Sequence, residues 1–69
     1  MNVLKEKLDI ALKKIDENID CIENNLLDND KQKFLFNRTS GQIHLLYSLA
    51  LIDYETYANL SKRLEKAFL

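Results

Sequence analysis

The chain has 69 residues, of which 30% are charged, and its ten basic and eleven acidic side chains give a net charge of −1. This length allows one domain at most, residues 1–69, and the near-neutral charge excludes a general electrostatic attraction to nucleic acid. With no proline, no tryptophan and one glycine, the composition predicts an all-α fold. Domains this small usually need disulfides, a metal, regular helix packing or a second subunit.

Two of those sources of stability are missing from the sequence. Cys21 is the only cysteine, so no internal disulfide can form, and Cys21 with His44 falls short of the four ligands of a structural zinc site. No apolar run reaches the roughly 20 residues of a membrane span, and the charged N-terminal residues are unlike a signal peptide. The sequence therefore predicts a soluble cytoplasmic protein without cofactor, metal or membrane partner.

The first predicted helix spans about residues 2–27, with Asn2 as its N-cap. Its apolar residues recur at steps of three or four and are Leu4, Leu8, Ala11, Ile15, Ile19, Ile22 and Leu26. A second, weaker apolar strip lies about 130° away around the helix and comprises Val3, Ile10 and Cys21.

Charge is also segregated along this first helix. Four lysines lie in residues 5–14, whereas the charged residues of 16–30 are all acidic. An antiparallel second copy of the helix would set base against acid. The alternative interpretation is that both ends are solvated and the segregation is accidental.

The second predicted helix spans about residues 30–51, with Asp30 as its N-cap. Its helical phase continues through Gly41, which favours one continuous helix over a break at residues 37–40. The stretch from 39 to 52 has no Lys, Arg, Asp or Glu, and its apolar residues point to opposite sides of the helix. Because a helix that is apolar all round is a buried helix, a second subunit is expected to cover it. The predicted self-association residues are Leu45, Leu49 and Ile52, joined by Ile10 of the first helix.

The third predicted helix spans about residues 53–68. Asp53 is its expected N-cap, and Glu55 lies in the first turn, where the helix dipole favours an acid. The short turn before Asp53 predicts an antiparallel hairpin with the second helix. The three elements together predict a three-helix antiparallel bundle that assembles as a homodimer or a higher oligomer.

The hairpin segment, residues 43–68, combines a leucine-rich helix, a small residue before two aliphatic ones, an aspartate cap, an acid, an aromatic and a basic-leucine ending. The residues that carry this pattern are Leu45, Leu49, Ala50, Leu51, Ile52, Asp53, Glu55, Tyr57, Lys62 and Leu64. The segment resembles the helical hairpin of the bacterial short C-terminal domain family, and it departs from that family at Ala50, where glycine is favoured. The resemblance implies an oligomerisation or docking module without catalysis. The whole chain also resembles small accessory proteins of phages and plasmids.

Four aromatic residues are predicted to bind a partner, since aromatic side chains dominate protein interfaces. They are Phe34, Phe36, Tyr54 and Tyr57. No residue that could act as a catalytic partner lies at a characteristic sequence spacing from Cys21 or His44. The sequence therefore predicts no enzyme. The predicted function is a non-catalytic module that self-associates and binds another protein, as a phage or mobile-element regulator or inhibitor would. The alternative is a small DNA-binding transcriptional regulator, which the acidic residues of 16–30 disfavour.

Overall fold

The computed structural model describes residues 3–69, which form three α-helices. Helix α1 is Val3–Glu23, α2 is Asn29–Ser48 and α3 is Tyr54–Phe68. The prediction of an all-α, three-helix fold is confirmed. Asn2, the expected N-cap of α1, lies outside the described residues. Among the helices of the described residues, none is both long and apolar enough to cross a membrane.

Helix α1 ends earlier than predicted because the chain turns at Asn25, whose backbone is left-handed with a φ of 54°. The N–H groups of Asn25 and Leu26 donate to the carbonyls of Ile22 and Cys21, at 3.0 and 3.3 Å respectively. These are the two hydrogen bonds of a Schellman motif, which satisfies carbonyls at the end of a helix. Leu26 therefore leaves the apolar stripe of α1 and is exposed.

Aspartates cap the N-termini of the other two helices. The prediction of Asp30 as the cap of α2 is wrong: the side chain of Asp28 accepts a hydrogen bond from the N–H of Lys31 at 2.9 Å. Asp30 instead occupies the first turn, where the helix dipole favours an acid. Asp53 caps α3 as predicted, accepting from the N–H of Thr56 at 2.8 Å. Hydrogen bonds from Thr56, first from its side chain and then from its backbone, lower the pKa of Asp53 below its ordinary value of 3.8.

Helix α2 also ends earlier than predicted, at Ser48. The N–H groups of Ala50 and Leu51 donate to the carbonyls of Tyr47 and Leu46, both at 2.9 Å, in a second Schellman motif. Ala50 occupies the left-handed position of this motif, with a φ of 58°. That conformation costs an L-residue about 1–2 kcal/mol, and glycine adopts it freely.

The strained backbone at Ala50 leads to a stability prediction. Ala50→Gly is expected to raise the free energy of unfolding by about 1 kcal/mol, which raises the melting temperature of a domain this size by about 4–8 °C. Circular dichroism melts at a fixed protein concentration measure the change. Ala58→Gly inside α3 is the matched control and should lower stability by about 1 kcal/mol. If both substitutions destabilise the protein, the left-handed strain at Ala50 is not relieved by glycine.

The core lies where the three helices meet, and every pair of helices is in contact. The buried apolar side chains are Ile15, Ile19, Ile22, Ile43 and Leu64. Packed against them are Leu35, Phe36, Leu46, Ile52, Tyr57, Leu60 and Ala67. Helix α2 runs without a break through Gly41, as predicted, and keeps Gln32, Thr39 and Ile43 on the buried side.

Contacts between helix ends show that consecutive helices run antiparallel. The side-chain amide of Gln32, at the start of α2, donates to the carbonyl of Ile22 near the end of α1 at 3.1 Å. Phe68, at the end of α3, packs on Phe36 in the first half of α2, with ring centroids 4.6 Å apart. Helices α1 and α3 are therefore parallel to each other.

Candidate interaction surfaces

The side of α2 that points away from the core carries large apolar side chains. At about 100° per residue, Phe34, Gly41 and Leu45 lie nearly opposite the buried Ile43. We define the outer strip as Phe34, Gly41, Leu45 and Leu49, whose spacing is seven, four and four residues. Phe34 is 67% exposed, Leu45 57% and Leu49 59%. The three large apolar side chains of this strip are exposed to solvent, and the exposed Arg38 lies between Phe34 and Gly41 on the same side of α2.

Gly41 lies within the outer strip and has open space around it. A Cβ atom added at Gly41 would meet nothing within 4 Å, and its φ is not positive. Inside a helix, glycine costs about 1 kcal/mol relative to alanine. No packing contact or backbone angle of the described chain requires glycine here.

A groove runs between α1 and α2 beside the outer strip. One part of the groove, of about 250 Å³, is lined by Ala11, Lys14, Ile15, Gln42, Leu45 and Leu46. A second part, of about 370 Å³, is lined by Lys14, Asn18, Leu35, Arg38 and Gln42. The exposed side chains of Lys14 and Arg38 give the groove positive charge. Gln42 Oε1 is buried and has no hydrogen-bond partner among the described residues.

The second apolar strip of α1 lies on the same side of the helix as Lys14, which lines this groove. Ile10 precedes Lys14 by four residues, so the two side chains are neighbours on one helix face. Ile10 is 62% exposed. Val3 is exposed and Cys21 is half-buried on the same face of α1. Exposed apolar side chains therefore lie on both α1 and α2.

A tyrosine cluster, defined as His44, Tyr47, Tyr54 and Tyr57, lies between the end of α2 and the start of α3. Tyr47 and Tyr57 stack with ring centroids 4.6 Å apart, and the Tyr54 ring is 6.1 Å from each of them. The hydroxyl of Tyr57 lies 3.2 Å from Nδ1 of His44. Tyr54 is 65% exposed, so the cluster forms part of the surface.

The predicted self-association residues divide between this surface and the core. Ile10, Leu45 and Leu49 are exposed. Leu45 and Leu49 belong to the outer strip, and Leu45 also lines the groove. Ile52 is half-buried and packs against the core. The prediction grouped Ile52 with Leu45 and Leu49 by extending α2 past residue 48. The Schellman motif ends that helix first and redirects the chain.

The predicted partner-binding aromatics also differ in environment. Phe34 and Tyr54 are exposed, Tyr57 is half-buried within the tyrosine cluster, and Phe36 is half-buried against Phe68. Sequence reasoning did not join Phe34 to the leucines of the outer strip. The signal was present, because Phe34 precedes Leu45 by eleven residues, which is about three helical turns.

Among the described residues, one ion pair joins α3 to α1. Arg63 of α3 donates to Asp16 of α1 at 2.7 Å, and both side chains are about half exposed. Within residues 3–69, no group of three or more His, Cys, Asp or Glu side chains could hold a metal ion. The arrangement as a whole offers apolar and aromatic contact surfaces.

Comparison of the chain with protein-family models, with curated proteins and with solved structures finds no match in any of the three. A functional proposal therefore depends on the residues and surfaces of this chain alone.

Proposed function

We propose that this chain is a small non-catalytic interaction module that self-associates through the outer strip and binds another protein. The observation that carries the proposal is the outer strip itself, a helix face opposite the core whose three large apolar side chains are more than half exposed. Apolar surface removed from water contributes about 25 cal/mol per Å². Covering the strip therefore supplies a driving force for association.

The total accessible surface area of the chain is large enough to support self-association. The chain exposes 5244 Å², whereas a monomeric protein of 8.1 kDa exposes roughly 4,500 Å² by the usual scaling with mass. The excess is of the same order as the roughly 800 Å² that each partner buries in a standard interface. One additional contact surface of ordinary size would bring the chain to the exposure typical of its mass.

The tyrosine cluster supports a contact with a different protein. Tyrosine is enriched among the residues that dominate binding energy. Residues 39–61 contain no Lys or Arg, and the acids Asp53 and Glu55 flank Tyr54 in sequence. The faces of tyrosine rings attract cations, and so do the neighbouring carboxylates. The cluster therefore favours a partner that presents arginine or lysine side chains.

The DNA-binding alternative has less support from the contacts of α3. Arg63, one of the cations that α3 would offer to phosphates, is ion-paired with Asp16. A gel shift of random duplex at low salt separates the two functions. Salt-sensitive binding of the duplex would favour the regulator, since counterion release dominates nonspecific DNA binding.

Light scattering and sedimentation equilibrium on the full chain test self-association directly. The mass is expected to rise with concentration from 8.1 kDa towards at least twice that value. The melting temperature should rise with it, because association stabilises the folded state by mass action. A chain that stays folded and monomeric at every concentration measured would contradict self-association through the outer strip.

A further inference from the structure

We propose that the groove between α1 and α2 is a docking site for an acidic amphipathic helix of another protein. The inference goes beyond the proposed function, because it concerns a different surface from the tyrosine cluster and does not require self-association. It depends on three features of the groove, which are its cations, its apolar lining and a buried side-chain oxygen without a donor.

One wall of the groove is a basic face of α1. Ala11 and Lys14 line the groove, and Lys7 lies on the same face because it precedes Ala11 by four residues. Lys7 and Lys14 are exposed and lie about 10 Å apart along the helix. Every acidic residue of α1 lies about 90° or more around the helix from the centre of this face. This wall therefore offers cations and no carboxylate.

The facing wall, on α2, is basic as well. Leu35 and Arg38 line the groove, and Lys31, four residues before Leu35, lies on the same face. Lys31 and Arg38 are both exposed. Asp30 is the only acidic residue within α2, and it lies about 110° around the helix from the centre of this face.

The four cations form a row along the groove. Lys14 and Arg38 line the same part of it. Because α1 and α2 are antiparallel, Lys7 and Lys31 extend the row in opposite directions. The row therefore covers at least about 20 Å, which is the length of a helix of about 14 residues.

None of these four side chains has a carboxylate partner within residues 3–69. The other side of α1 differs, since Arg63 of α3 is ion-paired there with Asp16. Like charges held along one groove repel each other, and carboxylates bound beside them would replace that repulsion with attraction. The charge of the groove therefore favours an acidic partner.

The lining of the groove indicates that this partner is a helix. Apolar side chains contribute to both parts of the groove and are Ala11, Ile15, Leu35, Leu45 and Leu46. The phosphates and sugars of a nucleic acid would leave these side chains uncovered. An amphipathic helix covers such a surface with its own apolar face and places its acids at the flanks. It would contact α1 and α2 as a fourth helix contacts its neighbours in a four-helix bundle.

Gln42 adds a requirement for a hydrogen-bond donor. Its side chain lines both parts of the groove, and its Oε1 atom is buried without a partner among the described residues. A buried acceptor without a donor costs free energy. A partner helix with an amide or hydroxyl side chain at the matching position would donate this hydrogen bond.

A second copy of this chain fits the groove less well. The outer strip is the exposed apolar surface that it would offer, and Arg38 lies on the same side of α2 between Phe34 and Gly41. Docking of that strip would set Arg38 of one copy against the cations of the other. The charges therefore favour a different protein.

Fluorescence anisotropy with a labelled synthetic peptide tests the groove. The probe is an amphipathic helix of about 18 residues, with leucine at every third or fourth position, glutamate on both flanks and one asparagine near its centre. The control peptide carries lysine in place of each glutamate. The acidic helix is expected to bind with a micromolar dissociation constant, at least about tenfold more tightly than the basic one. Equal binding of both peptides, or binding of neither, would overturn the proposal.

Charge reversals locate the bound peptide. Lys14→Glu and Arg38→Glu are each expected to weaken binding of the acidic helix at least about tenfold. Lys13→Glu is the matched control, because it makes the same change at an exposed neighbour that points about 100° away around α1. It should bind like the parent. An equal loss in Lys13→Glu, or no loss in the two groove variants, would show that the peptide does not occupy the groove.

A random DNA duplex is the competitor that separates the two classes of acidic partner. A duplex that leaves the acidic helix bound supports the proposal. A duplex that displaces it, and that itself loses affinity in Lys14→Glu, would make the groove a phosphate-binding site and overturn the proposal. Sedimentation equilibrium without peptide measures self-association separately, so a failure of the groove proposal is distinguishable from a failure of the proposed self-association.

Discussion

Ile19→Ala is expected to lower the free energy of unfolding by about 2–5 kcal/mol. Ile19 is fully buried at the centre of the core, and truncating a buried isoleucine to alanine costs about 2–5 kcal/mol through lost burial and the cavity left behind. The whole free energy of unfolding of a domain this size is only about 3–10 kcal/mol. One substitution therefore removes a large share of it. Urea denaturation followed by circular dichroism measures the loss.

The same helix offers a matched control. Ile10→Ala removes the same atoms from a side chain that is 62% exposed, so the change in the free energy of unfolding should stay within about 0.5 kcal/mol at low protein concentration. Ile10 is also one of the predicted self-association residues, so we expect self-association to weaken at the same time. An Ile10→Ala variant as unstable as Ile19→Ala would show that the core extends over a face of α1 that is exposed in the structure.

Leu49→Glu is expected to abolish self-association and leave the monomer folded. The side chain is 59% exposed, so the monomer tolerates a carboxylate, but an interface over the outer strip would bury it without a partner. In a symmetric dimer the substitution acts twice. We expect association to weaken by at least about 100-fold, which corresponds to roughly 2.7 kcal/mol. Sedimentation equilibrium measures the change.

Two control substitutions test whether the interface lies over the outer strip. Leu69→Glu makes the same chemical change at a fully exposed terminal residue, and Lys62→Glu reverses a charge on the exposed side of α3. Both should associate like the parent. A Leu49→Glu variant that associates normally would show that the outer strip is not the contact surface, and equal losses in all three variants would indicate a general effect of negative charge.

Helix periodicity was enough to predict the three elements and most of the core, because each buried residue recurs at helical spacing with its neighbours. Helix ends were less predictable. Asn25 and Ala50 terminate their helices through a left-handed backbone, a conformation that sequence reasoning expects at glycine rather than at alanine. Two aspartates, Asp28 and Asp30, could each have capped α2, and only the geometry of the loop decides between them.

The contact surfaces were partly predictable for a similar reason. Exposure of Leu45 and Leu49 followed from helical phase, since the opposite side of α2 was already assigned to the core. The half-buried position of Ile52 could not be predicted in this way, because the direction of its side chain depends on the turn after Ser48. The tyrosine cluster depends on that turn as well, which brings Tyr47 against Tyr54 and Tyr57. The interaction of this module with another protein, and its kinship with regulators of phages and plasmids, stay predictions.

The place of the tyrosine cluster at the C-terminal end of α2 has a consequence for avidity. A symmetric dimer of this chain would carry two tyrosine clusters, one at the C-terminal end of each α2. Such a dimer is a bivalent ligand with a fixed spacing. A partner with two or more matching sites would be held far more tightly than a single contact allows, because the second contact forms at a high effective concentration. Weak individual contacts, made by few side chains, would then suffice for a stable complex.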